Sequence, residues 1–168
     1  GGKAKPSNAW ATANVDFTKG VGTYTHPNKG NSAENMKIMQ QNMDAVVSFI
    51  QGFNQLGAGT ATGSAVGELG TRDTGYVTVT GQNGTKRIAI PKGDYAGFAK
   101  STAAAVLDLT TITNSDVKTA LGKTDLGDLN AALADLQFAA GFQDALKAYR
   151  NELTIETTVK KSAVEAAQ

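Results

Sequence analysis

The chain has 168 residues, 40% hydrophobic, 18% charged and 7% aromatic, with 19 glycines; that length suits one domain, residues 1–168, which can bury roughly two-thirds of its unfolded surface around one core. With 16 Lys and Arg against 15 Asp and Glu the net charge is +1, too small for the long-range field that draws proteins to nucleic acid or anionic membranes. The absence of cysteine excludes disulfides, thiolate nucleophiles and sulfur-ligated zinc.

Residues 1–31 are rich in Lys, Gly, Asn and Thr. The alternation of Ala13, Val15 and Phe17 fits a short strand, but three glycines and Pro27 between Gly20 and Asn31 favour an extended N-terminal arm. A helix is expected over 32–56. Asn31 or Ser32 can cap it, and Asn31 with Glu34 has capping-box spacing. Met36, Met39, Met43, Val46, Ile50 and Phe53 recur at steps of three and four and form one stripe. Gly57 is placed to close the helix in a left-handed cap.

Residues 57–75 are Gly, Ala, Thr and Ser with few apolar anchors, which reads as a flexible loop. Over 76–90, two β-prone runs flank Asn83-Gly84, a dipeptide suited to a type I′ hairpin turn, and Pro91 ends the second run. The region 94–168 reads as helical. Asp94 can cap a helix running to Leu109, and Asn114 or Ser115 a short one running to Leu121 and stopped by Gly122. A longer apolar pattern follows in Leu129, Leu133, Leu136, Ala140, Leu146, Tyr149 and Leu153. Its register shifts around Gly141, which weakens a helix by about 1 kcal/mol and marks a kink or a close helix contact. The run Thr154 to Val159 carries helix and strand signals in equal measure. The fold class expected is therefore mainly α, within α+β: a helical bundle of about three to four helices with one inserted β-hairpin.

No motif assembles a catalytic, cofactor-binding or metal site. His26, the sole histidine, has no neighbouring nucleophile and reads as a loop residue. Gly122-Lys123-Thr124 resembles the end of a phosphate-binding loop, but Val117 stands where the first glycine belongs, so a helix stop followed by a start is the better reading. Asp125, Asp128 and Asn130 could offer oxygen ligands, yet Leu136 occupies the offset at which a calcium loop needs its glutamate. Carboxylates at a helix start explain them. Asn83-Gly84-Thr85 fits a glycosylation triplet and, better, a hairpin turn. Lys86-Arg87 fits a strand edge guarded against pairing. No run of about 18 apolar residues is present, so no membrane span is expected. No apolar stretch follows Lys3 and Lys5, so no intact secretory signal is read.

Without a catalytic constellation, the expectation is a non-enzymatic structural subunit, a homo-oligomer or protein partner, self-associating into an extracellular or virion-type assembly such as a filament. Its candidate helix-packing or assembly face is Met36, Met39, Met43, Val46, Ile50, Phe53, Leu129, Leu133, Leu136, Leu146, Tyr149 and Leu153. Two alternatives stand beside it: a protein- or glycan-binding module using the 76–90 hairpin, and an enzyme built on carboxylates such as Asp94, Asp108 or Asp116. In the order of its elements and its Cys-free, Ala/Thr/Gly/Asn-rich composition, the chain resembles subunits of exported bacterial filaments, the flagellin-like and type III secretion filament proteins. That resemblance implies terminal helices packed together and a middle part facing outward, and it assigns no functional residue.

Overall fold

The computed structural model describes residues 10–70, 74–91 and 93–167. Five strands, β1 Ala11–Asp16, β2 Val21–Thr25, β3 Ser64–Leu69, β4 Gly75–Gly81 and β5 Gly84–Ile90, form one antiparallel sheet in the order β2-β1-β3-β4-β5. Four helices accompany it: α1 Ser32–Gln55, α2 Ala96–Asp108, α3 Ser115–Leu121 and α4 Leu129–Ala167. The fold is α+β, and the expected bundle with a single inserted hairpin is overturned by a sheet more than twice that size.

Two segments account for the correction. The expected arm contains the β1–β2 hairpin, and its residues 1–9 lie outside the described residues. Ala11, Ala13, Val15 and Phe17 are all buried, so the weak alternation in the sequence was the inward face of a strand. The glycine that argued against order closes the turn: Gly20 adopts φ +69° and its N–H donates to Asp16 O, while the Asp16 carboxylate accepts from the N–H groups of Thr18 and Lys19. Pro27 falls after β2, where it costs no ladder bond.

The expected loop contains β3, a central strand paired with β1 on one side and β4 on the other; residues 71–73 of that loop are outside the described residues. Its inward residues are Ala65, Gly67 and Leu69. The first two are small, and at Gly67 the reason is α1 lying directly above. A Cβ at Gly67 would stand 3.1 Å from Met39 Cε and 3.2 Å from its Sδ, so the side-chain volume that a strand usually supplies comes from the helix instead.

Elsewhere the helix and hairpin boundaries shift by a residue or two, and the expected caps at Asn31 and Asp94 do not form. Gly57, at φ +71°, follows α1 as expected. Asn31 makes no side-chain cap bond; Ser32 turns its hydroxyl to Pro27 O, and Asn35 donates from Nδ2 to Gly70 O at 3.0 Å. The β4–β5 turn residues are Gln82 and Asn83, with Gly84 opening β5 at φ +128°. Tyr95 rather than Asp94 precedes α2. Asn114 caps α3, its Oδ1 accepting from Asp116 N and Val117 N. The 154–159 run is helical, and Thr154, Thr157 and Thr158 return their hydroxyls to carbonyls one turn back.

α1 packs on β1, β2 and β3, and α2 packs on β4 and β5. Phe17, Met39, Met43, Val46, Ile50, Phe53, Leu69, Val77, Val79 and Phe98 fill the space between sheet and helices. α1 also meets the start of α4, which α3 flanks. The opposite sheet face has no helix packed on it among the described residues. It presents three cross-strand rows: Thr25, Thr12, Glu68, Tyr76, Ala89; Thr23, Asn14, Val66, Thr78, Arg87; and Val21, Asp16, Ser64, Thr80, Thr85.

Candidate assembly surface

The predicted helix-packing residues divide into three groups. Met39, Met43, Val46, Ile50 and Phe53 are buried under α1, and Met36 is half-buried at its start, so this part of the stripe serves the chain's own core. On α4, Leu136 is buried and Leu129 and Leu133 are half-buried, packed against that same core. Leu146 is half-buried, while Tyr149 and Leu153 are 61% and 49% exposed. The structure thus brings α1 together with residues 129–140 of α4 and leaves the rest of the helix apart.

The reason is a change of face along α4. At about 100° per residue, Leu129, Ala132, Leu133, Leu136, Ala139 and Ala140 cluster on one side, toward α1 and α3. Phe138, Phe142, Ala145, Leu146, Tyr149 and Leu153 cluster about 140° around the helix. Phe138 is 74% exposed, and its ring centroid lies 6.2 Å from that of Phe142. Beyond Gly141, every residue to Ala167 is exposed except Leu146. At 1.5 Å per residue this is about 40 Å of helix with an exposed surface, tied to α3 near its start by Gln143 Nε2 donating to Asp116 Oδ2 at 3.1 Å. Among the described residues Gly141 is not a contact point: a Cβ there would meet nothing within 4 Å.

Between Phe138 and Leu146 the stripe hollows into an apolar groove of about 330 Å³ lined by Gln137, Phe138, Gly141, Phe142, Ala145 and Leu146. Taking about 200 Å² per aromatic ring, the side chains from Phe138 to Leu153 expose on the order of 400 Å². That matches the largest apolar patch on a typical monomer, which is often functional. Phe138 and Phe142 were missed because the predicted stripe was continued from Leu136 to Leu146. Their spacing of four, continued by Ala145 and Tyr149, was the available signal. Among the described residues no helix is long and apolar enough to cross a membrane.

The other candidate residues are occupied locally. His26 donates from Nδ1 to Pro27 O at 2.9 Å in the β2–α1 connection. Asp128 caps α4, its Oδ1 accepting from Ala131 N at 3.0 Å. The Gly127 N–H, and then Lys100 at 3.3 Å, hold the Asp125 carboxyl below the usual carboxylate range. Asn83 donates from Nδ2 to Thr111 Oγ1. Asp108 pairs with Lys86 at 2.9 Å, Asp116 accepts from Gln143, and Asp94 stands beside the start of α2, so the three named carboxylates do not converge. Arg87 lies 3.9 Å over the Tyr76 ring, whose phenol is pushed up in pKa chiefly by its hydrogen bond to Glu68. Lys123 and Thr124 turn between α3 and α4, their N–H groups donating to Ala120 O.

No protein-family model matches the chain, and no curated protein or solved structure matches it.

Proposed function

We propose that this protein is a non-enzymatic structural subunit that self-associates through the distal part of α4. The observation that carries this reading is the stripe Phe138, Phe142, Leu146, Tyr149 and Leu153, exposed except for the half-buried Leu146, on a helix with no buried residue beyond Ala139 among the described residues. A helix with a solvated apolar face is stabilised mainly by packing that face, and no element among the described residues packs there. Burying the stripe on two helices removes about 800 Å² of apolar surface, and the polar rim brings the total near the roughly 1,000 Å² expected of a specific interface. Light scattering across a concentration series tests the proposal. The mass should rise with concentration, and F142D combined with Y149D should hold it at the monomer value while far-UV dichroism of the body is kept. A wild-type chain that stays monomeric throughout overturns it. Electron micrographs of the concentrated protein then separate closed oligomers from filaments.

A further inference from the structure

We infer that α4 pairs antiparallel with α4 of a second copy of this chain, about a two-fold axis passing between Ala145 and Leu146. This deepens the self-association reading above and rests on it.

The stripe reads the same from either end. Reversing α4 about the midpoint of Ala145 and Leu146 places Phe138 level with Leu153, Phe142 level with Tyr149, and Ala145 level with Leu146. A two-fold pair therefore keeps bulky apolar side chains together over the whole stripe and sets the small Ala145 against Leu146 at its centre. The contact is self-complementary, as a closed two-fold interface requires. The groove between Phe138 and Leu146 is level with the second copy's Tyr149, whose ring is 61% exposed. Aromatic side chains of this kind are the usual anchors of an interface core.

Charge favours this orientation over the parallel one. Beyond Leu153 the same helix face carries Glu156 and Lys160, paired at 3.1 Å. Parallel pairing in register would set Glu156 against Glu156 and Lys160 against Lys160 along the seam, and like charges facing one another are destabilising. In the antiparallel pair the flanking Arg150 is level with Gly141, and Glu152 is level with Ala139, both uncharged. Glu156 is level with Asp135 at both ends of the antiparallel stripe, two like-charged levels, against three in the parallel pair, where Asp135, Glu156 and Lys160 would each face their own copy.

A cysteine-free chain makes the orientation directly readable. Single-cysteine full-length variants F138C, L153C and A145C are oxidised at a concentration at which the wild-type mass exceeds that of the monomer. A145C should cross-link to itself, because its two copies stand either side of the axis. F138C and L153C should cross-link to each other when mixed and hardly at all when alone, since like positions lie 15 residues apart along the pair, about 22 Å. Peptide mass spectrometry identifies the linked positions. Self-linked F138C and self-linked L153C with no mixed product would establish parallel pairing and overturn the inference, as would an associated A145C that forms no self-link. A wild type with no mass increase instead removes the self-association reading itself.

Discussion

Leu133 of α4 lies against the backbone of Gly52 in α1. A Cβ added at Gly52 would collide with Leu133 Cδ2 and stand 3.2 Å from Cδ1 and 3.4 Å from Cγ. This glycine sits one turn from the end of a 24-residue helix, where propensity alone would favour alanine by about 1 kcal/mol. It is kept small by the approach of α4.

G52A should therefore lower stability despite the better helix former, by about 1–3 kcal/mol as overpacked contacts do. The double variant G52A/L133A should be less destabilised than the two single effects added together, because the second change removes the collision. Denaturant unfolding of all four proteins completes the cycle. Additive effects would show that the two positions do not meet.

Thr102, inside α2, is fully buried, and its Oγ1 has no hydrogen-bond partner among the described residues. A buried hydroxyl left unbonded costs about 1–3 kcal/mol. T102V keeps the branched shape and removes that oxygen, so it should raise stability by about 1 kcal/mol and raise Tm with it. A lowered Tm would mean that the hydroxyl is bonded.

How much was legible follows from where the side-chain volume lies. α1 carries its own apolar stripe, and its boundaries were read to within one residue. β3 could not be read that way, because Gly67 is kept small by Met39 above it and neither it nor Ala65 carries a β signal. β1 was visible only as a three-residue alternation, since Gly20 and Pro27 look alike as breakers until one is seen to close a turn and the other to follow a strand. On α4 the periodicity was visible throughout, and 100° per residue sets Leu129 to Ala140 and Phe138 to Leu153 on different sides, but period alone does not say which side the chain's own body covers. That distinction comes from the partners of the first set, Gly52 among them.

Tyr24 joins the edge strand β2 to α1, its phenol donating to Asp44 Oδ1 at 2.8 Å. Partial burial, and then the bond to Asp44, push the phenol pKa well above its usual value near 10. The folded pKa exceeds the unfolded one, so this contribution to stability is complete below about pH 10 and is lost as pH rises from there through the folded value. Y24F should cost about 1 kcal/mol at neutral pH and should flatten the alkaline part of the stability curve. Unfolding measured from pH 8 to 11.5 checks the sign, and equal alkaline slopes in the two proteins would refute it.

The distal part of α4 supplies the last prediction. Buried α4 residues end at Ala139, and the run Thr154-Ile155-Glu156-Thr157-Thr158-Val159 is poor in helix formers. A helix of this length with a weak centre and no packed face is marginal in water by itself. Pairing with a second copy would supply the missing packing, so helix content should depend on protein concentration. Mean-residue ellipticity at 222 nm should strengthen over the same concentrations at which the scattered mass rises. A chain ended after Lys147 should show neither change, yet unfold within about 1 kcal/mol of the full chain, since surface residues away from buried features contribute little. If the shortened chain lost its cooperative transition, the distal helix would be holding the body together, and the separation of α4 into a packed half and a free half would be refuted.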